Sequence, residues 1–311
     1  MAPGWTAQDV ARTFEQVKSW GRFGRDDERG ALNFATPAKR AAAAALVRDG
    51  HTVSCARELP VLPSPENPTP AQHHMLRAGD DCVLAGLGLE MSSDYIGVAF
   101  HGQATSHLDA LCHVFVGGRM YNGFPAGEVK STGAQRCSVM AARDGIVSRG
   151  VLLDLPRLRG VPWLELGEAV HAEELEAAER AQGVRVEEGD VLLVGTGRDA
   201  RRAGLGVWDP VSEGLAGLHP DCIPWLHERR IAVLGSDGVS DPIPGLGLEG
   251  WRLPIHQCCL VAMGVPLLDN LALAALAAAC AERSRWAFLL AVAPLRVEGG
   301  TGSPVNPIAV F

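Results

Sequence analysis

The chain reads as an α/β protein on two observations. Short apolar runs of strand length, Val151 to Asp154, Val191 to Val194, Ile231 to Leu234 and Phe288 to Val292, recur along its second half. Charged or alanine-rich segments with helical character lie between them, and alternation of that kind gives a sheet covered by helices. At 311 residues and 47% hydrophobic, the chain can bury a full core as one large domain or two closely packed ones.

The elements follow in order. Thr36-Pro37 supplies a cap and a first-turn proline for a helix that Ala41 to Arg48 continues and Gly50 ends. Pro60 to Gln72 holds five prolines and excludes regular structure, so it forms a loop or arm that covers an active site or crosses to a second subunit. Ile96 to His101 is β-branched and apolar, which predicts a strand running into Ser106-His107-Leu108-Asp109-Ala110-Leu111-Cys112-His113. Glu173 to Gln182 is a charged amphipathic helix with a solvated face. Leu271 to Arg283, rich in Ala and Leu, is a helix that Asp269 or Asn270 is placed to cap. No internal repeat is visible.

Charge and composition exclude several functions. A net charge of −8 and a pI near 5.7 argue against nucleic acid, whose phosphates demand clustered Lys and Arg. No apolar run is long enough to span a membrane. The start Met1-Ala-Pro-Gly-Trp lacks the basic and apolar pattern of a signal peptide. Eight scattered cysteines without a Cys-x-x-Cys, several in apolar stretches, suit buried free thiols and a cytoplasmic location.

The Ser106 to His113 stretch carries the chemistry. In an extended chain alternate side chains share a face, so Gln103, His107 and Asp109 are expected to point the same way. Ligands fixed on a rigid strand face suit a divalent metal, although a solvated His/Asp pair closing a strand has the same spacing. Competing motifs fall away. Gly245-Leu-Gly-Leu-Glu-Gly250 matches a dinucleotide fingerprint but follows no strand, and Pro254 blocks the helix it needs. Gly195-Thr-Gly197 lacks a third glycine and a P-loop lysine, and no Gly-x-Ser-x-Gly elbow exists. Cys112 and His113 are adjacent and face opposite ways on a strand, so they form no nucleophile pair. His73-His74, beside the proline-rich arm, read as surface residues.

These residues resemble the cyclase family that includes bacterial kynurenine formamidase and isatin hydrolase, whose signature is His-x-Gly-Thr-His-x-Asp-x-x-x-His. His107, Asp109 and His113 match its second histidine, aspartate and last histidine, and Gln103 stands at its first histidine. The likeness extends through Trp20-Gly-Arg-Phe-Gly24, Gly30-Ala-Leu-Asn33, Gly150 to Asp154, Gly189 to Gly197, Gly235-Ser-Asp237, His256 to Asn270 and Gly299 to Pro307. It points to the longer-chain branch. The resemblance implies a compact single domain over residues 1–311, with a central β-barrel-like mixed sheet surrounded by helices. Residues 1–75 would supply an N-terminal helix, strand and proline-rich arm, and 76–311 the metal-site core.

It further implies that Gln103, His107 and Asp109 bind Zn or Mn, joined by His256 and by Asp269, which replaces the family's glutamate. His256 is also readable as a core histidine with both nitrogens satisfied. Asp269, shorter than glutamate and placed to cap the Leu271 helix, is expected to leave the site with one tightly bound metal. The implied activity is hydrolysis of a small amide, formamide or lactone by metal-activated water, with His113 as general acid or base. The alternatives are a cyclase or dehydratase using the same site, or an inactive metal- or ligand-binding homologue. Trp20, Phe23, Thr301 and Ser303 are candidate contacts of a small-molecule substrate, the last two in a Gly-rich stretch that is also readable as a plain turn. A homo-oligomer, dimer or tetramer, is expected.

Overall fold

The computed structural model describes residues 4–80 and 88–311. Its centre is a nine-stranded mixed sheet curled into a half-barrel. Across the sheet the strands are Thr52–Ser54, Ile308–Val310, Ala287–Val292, Ile146–Asp154, Val191–Gly195, Val233–Ser236, Leu267–Asp269, His107–Asp109 and Gly302–Pro304. Four of these, from Ile146–Asp154 to Leu267–Asp269, run parallel, and the flanking strands are antiparallel. Parallel strands covered on both faces need unbroken apolar runs. Val151–Leu153, Val191–Val194 and Val233–Leu234 are buried throughout, which is why they stand out in the sequence.

Helices complete the crossovers. Ala172–Gln182 lies between the first two parallel strands, Arg198–Leu205 and Cys222–Arg229 between the next pair, and Pro254–His256 with the π-helix Gln257–Met263 before the fourth. No helix among the described residues is long and apolar enough to cross a membrane. The helix expected after Thr36 is Pro37–Ala44, with the Thr36 hydroxyl accepting from Lys39 N–H; it ends short of the Arg48 expected from sequence. Residues 60–71 carry no helix or extended strand. Seven cysteines are buried and unbridged; Cys82 lies outside the described residues.

Two local expectations fail. The strand expected to run from Ile96 into the His/Asp cluster is instead Ser93–Gly97, paired with Gln72–Arg77 in an exposed hairpin, and the chain from 98 to 106 is irregular. Gln103 therefore shares no strand with His107. The last long helix starts at Ala274, not Leu271, and Leu273 precedes it without a side-chain cap. Asp269 is held in the sheet opposite His107, and Leu271 N–H is spent on Ser236 O. Sheet pairing therefore takes the residues that local sequence offers to the helix.

One contact fixes the N-terminal layer. Ala31 N–H donates to Gly264 O at the end of the π-helix. Gly30 beside it has φ +55°, and a Cβ there would lie 2.2 Å from the same oxygen. Gly30→Ala combines left-handed strain with overpacking, so urea denaturation should show a loss of about 2–5 kcal/mol.

Candidate metal centre

The short strand His107–Asp109 turns its alternate side chains, His107 and Asp109, to one side and Leu108 into the core. Its antiparallel partner sets Asp269 opposite His107. On its other edge Gly302 stands opposite Asp109, where a Cβ would meet Leu108 O at 2.4 Å. The irregular segment before the strand brings in His101, and the turn from helix to π-helix brings in His256. The sequence thus places two halves of one cluster about 160 residues apart, and strand pairing joins them.

Asp109 is the hub. His101 Nδ1 lies 2.9 Å and His107 Nε2 3.4 Å from its Oδ1, while His256 Nε2 lies 3.7 Å and His113 Nε2 3.9 Å from its Oδ2. His256 Nε2 is also 3.2 Å from Asp269 Oδ2. Two ligand groups result, His101–His107–Asp109 and Asp109–His256–Asp269, each with its donor atoms within 4.8 Å of one another. Asp109 is common to both.

The outer nitrogen of each imidazole is engaged. His107 Nδ1 meets Thr105 O at 2.8 Å, His256 Nδ1 meets Asp241 Oδ2 at 2.6 Å, and His101 Nε2 meets Thr301 Oγ1 at 3.0 Å. A carbonyl or carboxylate oxygen only accepts, so His107 and His256 carry a proton on the outer nitrogen and turn the other nitrogen inward. Both oxygens of Asp109, Oδ1 of Asp269 and Nδ1 of His101 are buried without an aligned hydrogen bond. These inner nitrogens and carboxylate oxygens repel one another unless a cation, a proton or a metal ion, sits between them. A mixed N/O donor set of this kind fits a first-row divalent ion.

The electrostatics agree. Burial pushes the Asp109 carboxyl up, but the close imidazoles of His101, His107 and His113 outweigh it and hold the group far below its usual range. Burial alone would lower His107 and His256; the carboxylates of Asp109 for the first and Asp269 and Asp241 for the second reverse this and raise both. His113 differs: burial lowers its pKa to about 4 despite Asp109, so near neutrality its ring is uncharged. It stacks on His101 with centroids 3.8 Å apart.

The other expected site residues scatter. Gln103 sits away from the strand; Arg198 donates to its carbonyl, and its side-chain Oε1 is buried without a partner. His101, which the sequence places at the end of an expected strand and outside the ligand set, stands in the cluster. Thr301 orients His101, whereas Ser303 is buried and ties Leu295 N–H to Pro304 O. Trp20 donates to Val261 O, and Phe23 packs edge-on against Phe34, both in the N-terminal layer. Asp241, also missed, had only its place four residues after Asp237 as a signal.

A cavity of about 190 Å³ reaches the cluster, bounded by Pro65 to Thr69 of the proline-rich arm, by Ala99 to Thr105 and by Val211. Larger hollows, about 510 Å³ near Glu28 and Asp144 and about 320 Å³ near Asp154 and Asp199, contain none of the cluster's residues. The donor set decides in favour of the smaller one.

A curled mixed sheet with a buried His/Asp donor set at one end defines a metal-site α/β scaffold. The family model described as "Putative cyclase" matches residues 37–241, and the chain belongs to that cyclase family. A solved structure described as a novel cyclase is 32% identical, covers 94% of this chain and 99% of its own, and superposes with a TM-score of 0.83. Isatin hydrolase A from Labrenzia aggregata, bound to benzyl benzoate, is 23% identical over 86% of this chain and 94% of its own, at a TM-score of 0.60. A structure titled "predicted metal-dependent hydrolase" from Bacillus stearothermophilus is 15% identical over 84% and 98%, at 0.51. Comparison with curated sequences gives no significant match.

If Asp241 fixes the proton of His256, Asp241→Asn should weaken metal binding by ~10–100-fold while leaving the fold intact. Isothermal titration with zinc, with circular dichroism as control, measures this.

Proposed function

We propose that the protein is a metal-dependent hydrolase that cleaves a C–N or C–O bond in a small amide, formamide or lactone. The observation that carries this is the inward turn of His101, His107 and His256 onto a shared Asp109, with an uncharged His113 alongside. His101, His107, Asp109, His256 and Asp269 would hold Zn or Mn. A divalent ion so held supplies Lewis acidity toward a carbonyl and lowers the pKa of water.

The side chains do the rest. Thr105 and Asp241 hold the outer proton of His107 and His256, and Thr301 orients the His101 ring, so the donor set is preorganised. His113 is neutral at working pH and partly exposed, which suits it to take a proton from the attacking water and deliver it to the departing nitrogen or oxygen. Gln103 lines the cavity with an unsatisfied buried carbonyl oxygen, an acceptor for a substrate N–H. Pro65 to Thr69 wall the cavity opposite His101 and limit substrate size. Cyclisation or dehydration would use the same donors. Hydrolysis is favoured because His101 and His113 retain 27% and 30% side-chain exposure, so water reaches the reacting side.

Turnover on a panel of lactones, formamides and cyclic amides tests the class, and metal-loaded protein inert on the whole panel would refute it. His113→Ala should lower the rate by about 10²–10⁴ with metal content unchanged, as for loss of a general acid or base; an emptied site would make His113 a ligand instead. Because Asp109 serves both donor groups and Asp269 caps no helix, the centre is read as taking two cations. Elemental analysis should then show one equivalent lost in Asp269→Ala and both lost in Asp109→Ala.

A further inference from the structure

A second His/Asp cluster lies outside this centre. Two short parallel strands, Ala169–Val170 and Gly217–Leu218, pair in register, and His219 N–H donates to Val170 O. His171 and His219 each directly follow one of these strands, so the register sets them side by side with ring centroids 4.4 Å apart. Asp221 comes two residues later, before the helix Cys222–Arg229. Its Oδ2 lies 2.6 Å from His171 Nδ1 and 3.2 Å from His219 Nδ1. All three donor atoms fall within 4.8 Å of one another.

We propose that His171, His219 and Asp221 form a peripheral binding site for a late first-row divalent cation such as Zn²⁺. Asp221 N–H donates to His219 Nδ1 at 3.2 Å, which requires a lone pair on that nitrogen. Asp221 Oδ2 lies 3.2 Å from the same nitrogen. A cation bonded to both would take over this lone pair from the long Asp221 N–H contact, and His171 Nδ1, 2.6 Å from the same oxygen, supplies the third donor. Two imidazoles and one carboxylate select a borderline ion over Mg²⁺ or Ca²⁺, which prefer all-oxygen sets. The Trp5 ring stands edge-on to His219 at 5.9 Å and covers one flank, while His171 remains exposed, leaving room for water as the remaining ligand.

Asp221 Oδ1 also accepts from Ala172 N–H at the start of the helix Ala172–Gln182. A bound ion would therefore tie the starts of two helices to the small strand pair. This makes the site a structural staple, distinct from the buried centre.

The test compares the full-length protein with His171→Gln and His219→Gln after dialysis against micromolar free Zn²⁺. His171 is exposed, so its variant keeps the fold if the denser contacts of His219 do not tolerate change. Each substitution should remove one equivalent of zinc and reduce the zinc-dependent rise in melting temperature. Asp109→Ala should keep that equivalent, which separates this site from failure of the buried centre. Unchanged zinc content in His171→Gln would overturn the proposal.

Discussion

The charge of Asp109 governs this end of the molecule. Its carboxylate is 1% exposed and neither oxygen has an aligned hydrogen bond. A carboxylate left so in a protein interior costs several kcal/mol unless positive charge meets it. Asp269 and Asp241 are buried beside it, so three carboxylates share the region with imidazoles that burial would keep neutral. The structure holds together here only if cations, protons or metal ions, enter among them. With their outer nitrogens already engaged, His107 and His256 can meet those carboxylates through their inner nitrogens, by a second proton or by a shared metal ion.

The irregular segment from 101 to 105 could not hold His101 in place unaided, because its backbone carbonyls have no strand to pair with. Asn270 supplies the partner. In the left-handed region at φ 55°, it donates to Gly102 O and Thr105 O and accepts from Arg198 Nη1. Arg198 also donates to Gln103 O, and burial lowers its pKa to about 10, still charged at neutrality. Asp237 in turn accepts from the backbone N–H groups of Thr196, Gly197 and Arg198. The loop that carries His101 is thus fastened to the ends of the parallel strands, and the precision of the His/Asp cluster is borrowed from the core of the sheet.

That dependence explains which parts were legible in the sequence. The parallel strands announce themselves because burial on both faces leaves continuous Val and Leu runs, and the half-barrel followed from family resemblance, not from periodicity. His107 and Asp109 were readable because two residues on one strand fix their mutual geometry locally. His101 was not: alternation was extended through 98–106, where the chain leaves the extended state, so Gln103 was placed where His101 stands. Asp269 looked like a helix cap since Leu271 to Arg283 is helical in composition, but its pairing with His107 is non-local and outweighs a cap worth about 1 kcal/mol. Local propensity loses wherever sheet register is decided by a strand 160 residues away.

The two His/Asp clusters show how the same donors acquire different work. In the buried centre each imidazole's outer nitrogen is already held by Thr105, Thr301 or Asp241, so the donors are set before any ion arrives and a carboxylate is left unsatisfied to attract one. At the periphery His171 and His219 turn Nδ1 toward Asp221: burial raises its pKa, but the two adjacent imidazoles overcome this and bring it to about 2. Without an ion that cluster can relax into an ordinary charge-assisted pair exposed to water. The buried one has no such resting state. Desolvation, more than the identity of the side chains, is what separates the two clusters.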